Sequence, residues 1–167
     1  MVPPMPEPPR PEINTLEIFL FAGETFAFLQ KAQQDGKIKH IGLSEVHVAD
    51  IKQAQEFFKV VSVQNMYSVD NRKWETELQY CKDNDIAFIP WFPLNAGNVK
   101  GLEAIQAVAD RHGATTHQVA LNWLLQHAPN VLLIPGTSSV AHLEDNMKAA
   151  DLVLTVADLD ELDRIAG

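Results

Sequence analysis

VLLIPGTSSVAHLEDN, residues 131–146, contains the junction from which the rest of the chain can be read. Its apolar run, 131–134, reads as a strand and stops at Pro135. Gly136, Thr137, Ser138 and Ser139 make a turn, and a helical pattern opens at Val140. A strand delivered by a glycine-and-hydroxyl turn into a helix N-terminus suits an anion. Free backbone N–H groups, side-chain hydroxyls and the positive end of the helix dipole converge there.

The same strand–turn–helix order recurs upstream. Residues 37–43, 60–64 and 86–90 read as three more short apolar strands. Helical spacing covers 15–34, which Asp35-Gly36 ends, and then 48–58, 72–84 and 102–112. A capping-box pattern, Thr115-Thr116-His117-Gln118, opens a helix that runs to His127. Helices at 140–149 and 156–165 follow, the last capped by Thr155 with Asp158 three residues on. Strands alternating with helices imply right-handed βαβ units and a parallel sheet, here of about four strands with flanking helices. The strands are apolar on both faces, as in sheets covered by helices. Two closures fit this α/β pattern, an open doubly wound sheet or part of a (β/α)8 barrel. Four strands cannot close such a barrel alone. The proline-rich stretch 1–14 reads as an extended, disordered arm, and 15–167 as one domain.

With 167 residues the chain can bury one full core. A net charge of −9 argues against nucleic acid or an anionic membrane as a partner. No apolar run is long enough to span a bilayer, and the N-terminus lacks the apolar centre of a secretion signal. The single cysteine, Cys81, sits on an apolar helix face and reads as core. It fits a reducing cytoplasm. The six histidines show no metal-ligand spacing, so no metal site is expected.

Ligands in parallel α/β folds bind at the carboxyl ends of strands. Those ends carry Ser44 and Glu45; then Gln64, Asn65 and Tyr67; then Trp91, Phe92, Pro93 and Leu94; and then Gly136, Thr137 and Ser138. Any one of them has an ordinary structural explanation, as a capped helix or a core aromatic. Together they suit a nucleotide-like ligand. Its ring would stack on Trp91, an amide would pair with Ser44 and Gln64, and a phosphate would sit at the last turn.

Four segments in order, GKIKHIGLSE, VVSVQNMYS, DIAFIPWFPL and VLLIPGTSSVAHLEDN, make the chain resemble the aldo-keto reductases, NADPH-dependent (β/α)8-barrel oxidoreductases, from about Gln30 to the C-terminus. The resemblance is strongest to the bacterial type. It implies a partial (β/α)8 TIM barrel, the C-terminal half, with NADP(H) as cofactor and a small carbonyl compound as substrate. Ser44 and Gln64 would hold the nicotinamide carboxamide, with Glu45 beside them. Trp91 would stack on the nicotinamide ring, and Phe92, Pro93 and Leu94 would line the pyrophosphate passage. Gly136, Thr137 and Ser138 would meet the adenosine 2′-phosphate, faced by His142. Asp145 and Asn146 would contact the adenine.

Three departures qualify those expectations. Glu45 stands where many members have asparagine; a carboxylate can accept from the carboxamide but cannot donate. Gly136 and His142 stand where many have lysine and arginine, which weakens the preference for NADPH and leaves NAD(H) open. The aspartate, tyrosine, lysine and histidine that the family uses for catalysis have no counterpart before Lys37. The expected function is therefore the cofactor half of an NADP(H)-dependent carbonyl reductase, impaired alone. The alternatives are a non-catalytic nucleotide-binding regulatory or scaffold module, or a truncated remnant. Open strand edges predict a homo-oligomer or paired half-barrels.

Overall fold

The computed structural model describes residues 15–91 and 102–166, with side chains from Gly23 onward. The expected arm, 1–14, and the stretch 92–101 lie outside the described residues. The chain divides into two units, one ending at Lys39 and one spanning His40–Gly167.

The first unit contains helix α1 (Thr15–Gln34), with the bounds its periodicity predicts. Gly36 ends it at φ +72°, a backbone state that costs glycine nothing. There Lys37 N–H donates to Ala32 O at 2.9 Å.

The second unit holds a parallel sheet in the order β1 (Ile41–Ser44), β2 (Val60–Gln64), β3 (Ala87–Phe88). Helix α2 (Val48–Gln55) connects the first two strands, and α3 (Glu75–Asp83) the second two. Ile41, Val60, Val63 and Phe88 of the strands are buried, as are Ile51, Ala54, Leu78 and Cys81 of the connecting helices. Gly42 faces Ser62 across the sheet. A Cβ added there would overlap Ser62 Oγ and lie 3.1 Å from Ser62 O. Gly42→Ala is therefore expected to destabilise by about 1–3 kcal/mol in urea unfolding; an unchanged midpoint would show that the two strands can part at no cost.

The second strand has the bounds expected for it, 60–64, whereas the other strands and several helices are shorter than the sequence suggests. The expected first strand, 37–43, forms only from Ile41, and the helix expected at 48–58 is regular only to Gln55. The fourth strand, expected at 131–134, is one parallel bridge, Phe88 to Val131. Phe88 N–H donates to Asn130 O at 2.8 Å, and Leu132 N–H donates to Phe88 O at 2.9 Å. Ile89 turns its N–H to Val63 O on the other side, at 2.8 Å. The next residue facing 131–134 is Pro90, which has no N–H, so the ladder loses its next rung.

Helices α4 (Leu102–His112), α5 (Thr116–His127), α6 (Val140–Met147) and α7 (Val156–Asp163) complete the unit. The helix expected at 140–149 passes into a 3-10 turn, Lys148–Asp151, and that expected at 156–165 into another, Arg164–Ala166. Residues Gln118 to Leu124 of α5 are all buried, which explains why its sequence lacks a polar face. Asn122 Nδ2 donates to Ala149 O at 2.8 Å and to Leu152 O at 2.7 Å, fastening the turn after α6 to α5. Trp123 Nε1 donates to Asp163 Oδ1 at 3.0 Å, which fastens α7. Asp158 links α7 to α4: it accepts from Arg111 at 2.8 Å and pairs with His112 Nε2 at 2.8 Å. It also accepts from Thr155 N–H at 2.9 Å, completing the predicted cap.

Candidate functional site

At the end of β1 the Ser44 hydroxyl donates to Gln64 O at 2.9 Å. Glu45 follows in the left-handed region, φ 53°, a state uncommon outside glycine and asparagine. That backbone turn brings its carboxylate to the end of β3. Glu45 Oε1 accepts from Trp91 Nε1 at 2.7 Å and from Met66 N–H at 2.8 Å. The oxygen expected to meet a carboxamide thus holds the indole instead, a role that sequence alone does not show. Trp91 is half-buried, and its backbone N–H donates to Asn65 O at 3.2 Å. Among the described residues the Gln64 side-chain amide has no hydrogen-bond partner. Phe92, Pro93 and Leu94 lie outside the described residues.

Two other residues at strand ends have structural roles. Asn65 is fully buried; its amide donates to Val46 O at 3.0 Å and accepts from Val46 N–H at 3.3 Å. Tyr67 is fully buried too, and its hydroxyl donates to Glu75 and lies 3.0 Å from His127 Nε2. Burial, and then the Glu75 carboxylate, push its phenol far above the ordinary range. Cys81 is buried as expected, and burial pushes its thiol up to about 12.

The turn 136–139 forms the other end. Thr137 Oγ1 accepts from Ser139 N–H at 3.1 Å, and Ser139 Oγ caps α6 by accepting from His142 N–H at 3.4 Å. Beside it lies a cavity of about 440 Å³. Of the residues predicted for a ligand, Gly136, Thr137, His142, Asp145 and Asn146 line it, and Ser138 does not. Thr115, His117, Gln118 and Pro135 line it as well. The first three were legible as a cap but not as a wall. The N-terminus of α5 is tied to the last turn of α6 through Gln118 Nε2, which donates to Asp145 O at 3.0 Å. The first turn of α5 and His142 of the first turn of α6 line one concavity, with Asp145 of the last turn of α6 also in its wall; backbone N–H groups at the two helix starts suit negative charge there. Asp145 pairs with Lys148 at 3.0 Å. No group of three or more His, Cys, Asp or Glu that could hold a metal occurs among the described residues.

A family model for the aldo/keto reductase family matches residues 5–166. The chain belongs to that family. It is 47% identical over 142 residues to an uncharacterized oxidoreductase of Schizosaccharomyces pombe, covering 83% of this chain and 46% of that protein. It is 44% identical over 138 residues to pyridoxine 4-dehydrogenase of Escherichia coli, covering 83% and 48%. The crystal structure of a thermostable aldo-keto reductase, Tm1743, solved with the inhibitor epalrestat, aligns with a TM-score of 0.80 at 28% identity. That alignment covers 94% of this chain and 57% of Tm1743. This aldo/keto reductase chain thus has the parallel β/α fold of its relatives, with three paired strands and flanking helices, and no closed barrel, among the described residues. It spans about half the length of the curated relatives it matches. Among the described residues no helix is long and apolar enough to cross a membrane.

Proposed function

We propose that this chain binds a nicotinamide dinucleotide, NADP(H) with NAD(H) left open, and forms the cofactor half of a carbonyl reductase. The observation that carries the reading is the cavity where α5 and α6 meet the Gly136–Thr137 turn. Its volume is within the range of small-molecule sites, and its helix N-termini suit a phosphate. The unpaired Gln64 amide and the Trp91 indole, at the ends of neighbouring strands, suit a carboxamide and a flat ring. When bound, the cofactor supplies a hydride to a carbonyl carbon. The chain's own residues orient it: Glu45 fixes the indole, and Ser44 and Gln64 offer polar groups beside it. Gly136, Thr137 and Ser138 with His142 would take the adenosine 2′-phosphate, and Asp145 and Asn146 the adenine. Phe92, Pro93 and Leu94 would border the pyrophosphate.

Carbonyl reduction also needs a proton at the carbonyl oxygen. Tyr67 is buried on Glu75, and Tyr80 donates to Gln55 at 2.8 Å, so neither is placed to give one. The chain alone is therefore expected to turn over NADPH with a panel of aldehydes on the order of a hundredfold or more below a complete enzyme. Turnover at a complete enzyme's rate would overturn that impairment. The same observation favours a second reading, a non-catalytic nucleotide-binding module, which saturable NADP(H) binding without turnover would support. Cytoplasmic residence accords with a single, buried thiol.

Leu132 and Ile134 are 54% and 47% exposed. Beside them is an apolar hollow of about 390 Å³ lined by residues that include Leu121, Leu125, Leu143 and Met147. Such a surface next to an unextended strand edge favours pairing of two copies. Light scattering is expected to report a dimer or larger species at micromolar concentration; a stable monomer would exclude it.

A further inference from the structure

The phosphate end of the proposed cofactor site holds two imidazoles. His117 stands on the first turn of α5 and His142 on the first turn of α6; both are exposed and both line the same cavity. Bonds that do not involve either ring set their positions. Thr115 Oγ1 accepts from Gln118 N–H at 3.2 Å, Gln118 Nε2 donates to Asp145 O at 3.0 Å, and Ser139 Oγ accepts from His142 N–H at 3.4 Å. Among the described residues neither ring has a hydrogen-bond partner. Of the cavity-lining residues, the only formally charged one is Asp145, and Lys148 of the following turn already pairs with it. Glu144 and Lys148 are the other charged groups at that end of α6. Arg111, on the helix packed against α5, is committed to Asp158 and Glu161. Among the described residues that line the cavity, positive charge for a ligand phosphate can come only from the two histidines.

Resting on the reading of this cavity as a dinucleotide site, we propose that His117 and His142 make its discrimination between NADP(H) and NAD(H) depend on pH. Histidine is the side chain whose charge changes most readily between about pH 5 and 8, and a phosphate monoester takes its second charge near about pH 6. Toward the acid side of that range a charged imidazole can meet the extra phosphate; toward the alkaline side that phosphate loses its charged donors. An arginine or lysine in the same place would hold the phosphate equally at every pH in this range. By linkage, binding the 2′-phosphorylated form near pH 7 should take up protons, and binding the unphosphorylated form should take up fewer.

The test is titration of the full chain with NADP+ and with NAD+ between pH 5.5 and 8.5 at constant ionic strength, followed by tryptophan fluorescence. The affinity ratio is expected to fall about tenfold from the acid end of that range to pH 8.5. The double variant His117→Ala with His142→Ala should flatten the profile. His142→Arg should keep the ratio high at pH 8.5, a gain that misfolding cannot imitate. Calorimetry in buffers of different ionisation enthalpy should show the extra proton uptake with NADP+. A ratio independent of pH in the parent chain, or a profile unchanged in the double variant, overturns the proposal while leaving the dinucleotide site standing. Binding of neither nucleotide overturns both.

Discussion

Replacing Asp158 by Asn should lower stability by about 2–4 kcal/mol, the largest single loss expected outside the apolar core. One buried carboxylate serves three residues on two helices. It receives Thr155 N–H and hydroxyl at the start of α7, Arg111 at 2.8 Å and His112 at 2.8 Å from the end of α4. Asparagine keeps the size but removes the charge and turns an acceptor into a donor facing donors. For a domain of this length the loss corresponds to a melting temperature about 5–15 °C lower. The effect carries a pH signature. The Thr155 hydroxyl first, and then the His112 and Arg111 bonds, hold the Asp158 carboxyl well below the usual carboxylate range. A carboxyl depressed on folding stabilises above its unfolded value, near about 3.9, and that contribution is lost as the pH falls through the folded value. The gap between parent and Asp158→Asn should thus be full at neutral pH and shrink below about pH 4. A gap that stays constant down to pH 3 would show that the charge contributes nothing.

Removing the indole should have the greatest effect on ligand binding. Trp91→Leu is expected to weaken NADP+ binding at least about tenfold and to abolish most fluorescence quenching, because stacking on a large aromatic is lost. Glu45→Ala should act through Trp91, weakening binding about three- to tenfold as the indole loses its acceptor. Glu45→Gln keeps an amide oxygen in the same position and should recover most of that loss. If Gln is as poor as Ala, Glu45 acts by its charge and not by holding the ring. If Trp91→Leu binds and responds normally, the aromatic is not part of the site.

The parts of this molecule readable in its sequence are those whose physics is local. The capping boxes at Thr115 and Thr155 lie within four consecutive residues, so the starts of α5 and α7 fall where expected. Gly36 ends α1 for an equally local reason. The fourth strand was overextended because a run of apolar residues does not reveal whether its neighbour can donate. That depended on Pro90, more than forty residues earlier, and on which side Ile89 and Phe88 turn their N–H groups. The site divides in the same way. The Gly136–Thr137 turn and the strand ends are visible as chemistry arranged along the chain. The bond between Glu45 and Trp91 is not, because it spans 46 positions and requires a left-handed backbone at a glutamate. His117 is legible as part of a cap, but its place in the same cavity as His142 depends on how α5 and α6 pack.

Asn122 gives that packing a price in sequence space. Both hydrogens of its amide are used on the carbonyls of Ala149 and Leu152, while its oxygen accepts from Gln126 at 2.5 Å. Aspartate is nearly the same shape, yet it would aim a carboxylate at two carbonyl oxygens with no proton between them. Asn122→Asp would therefore loosen the turn after α6 from beneath. The cavity above would lose its shape although none of its lining residues had changed. Nucleotide affinity would then decline through one buried side chain that does not line the cavity.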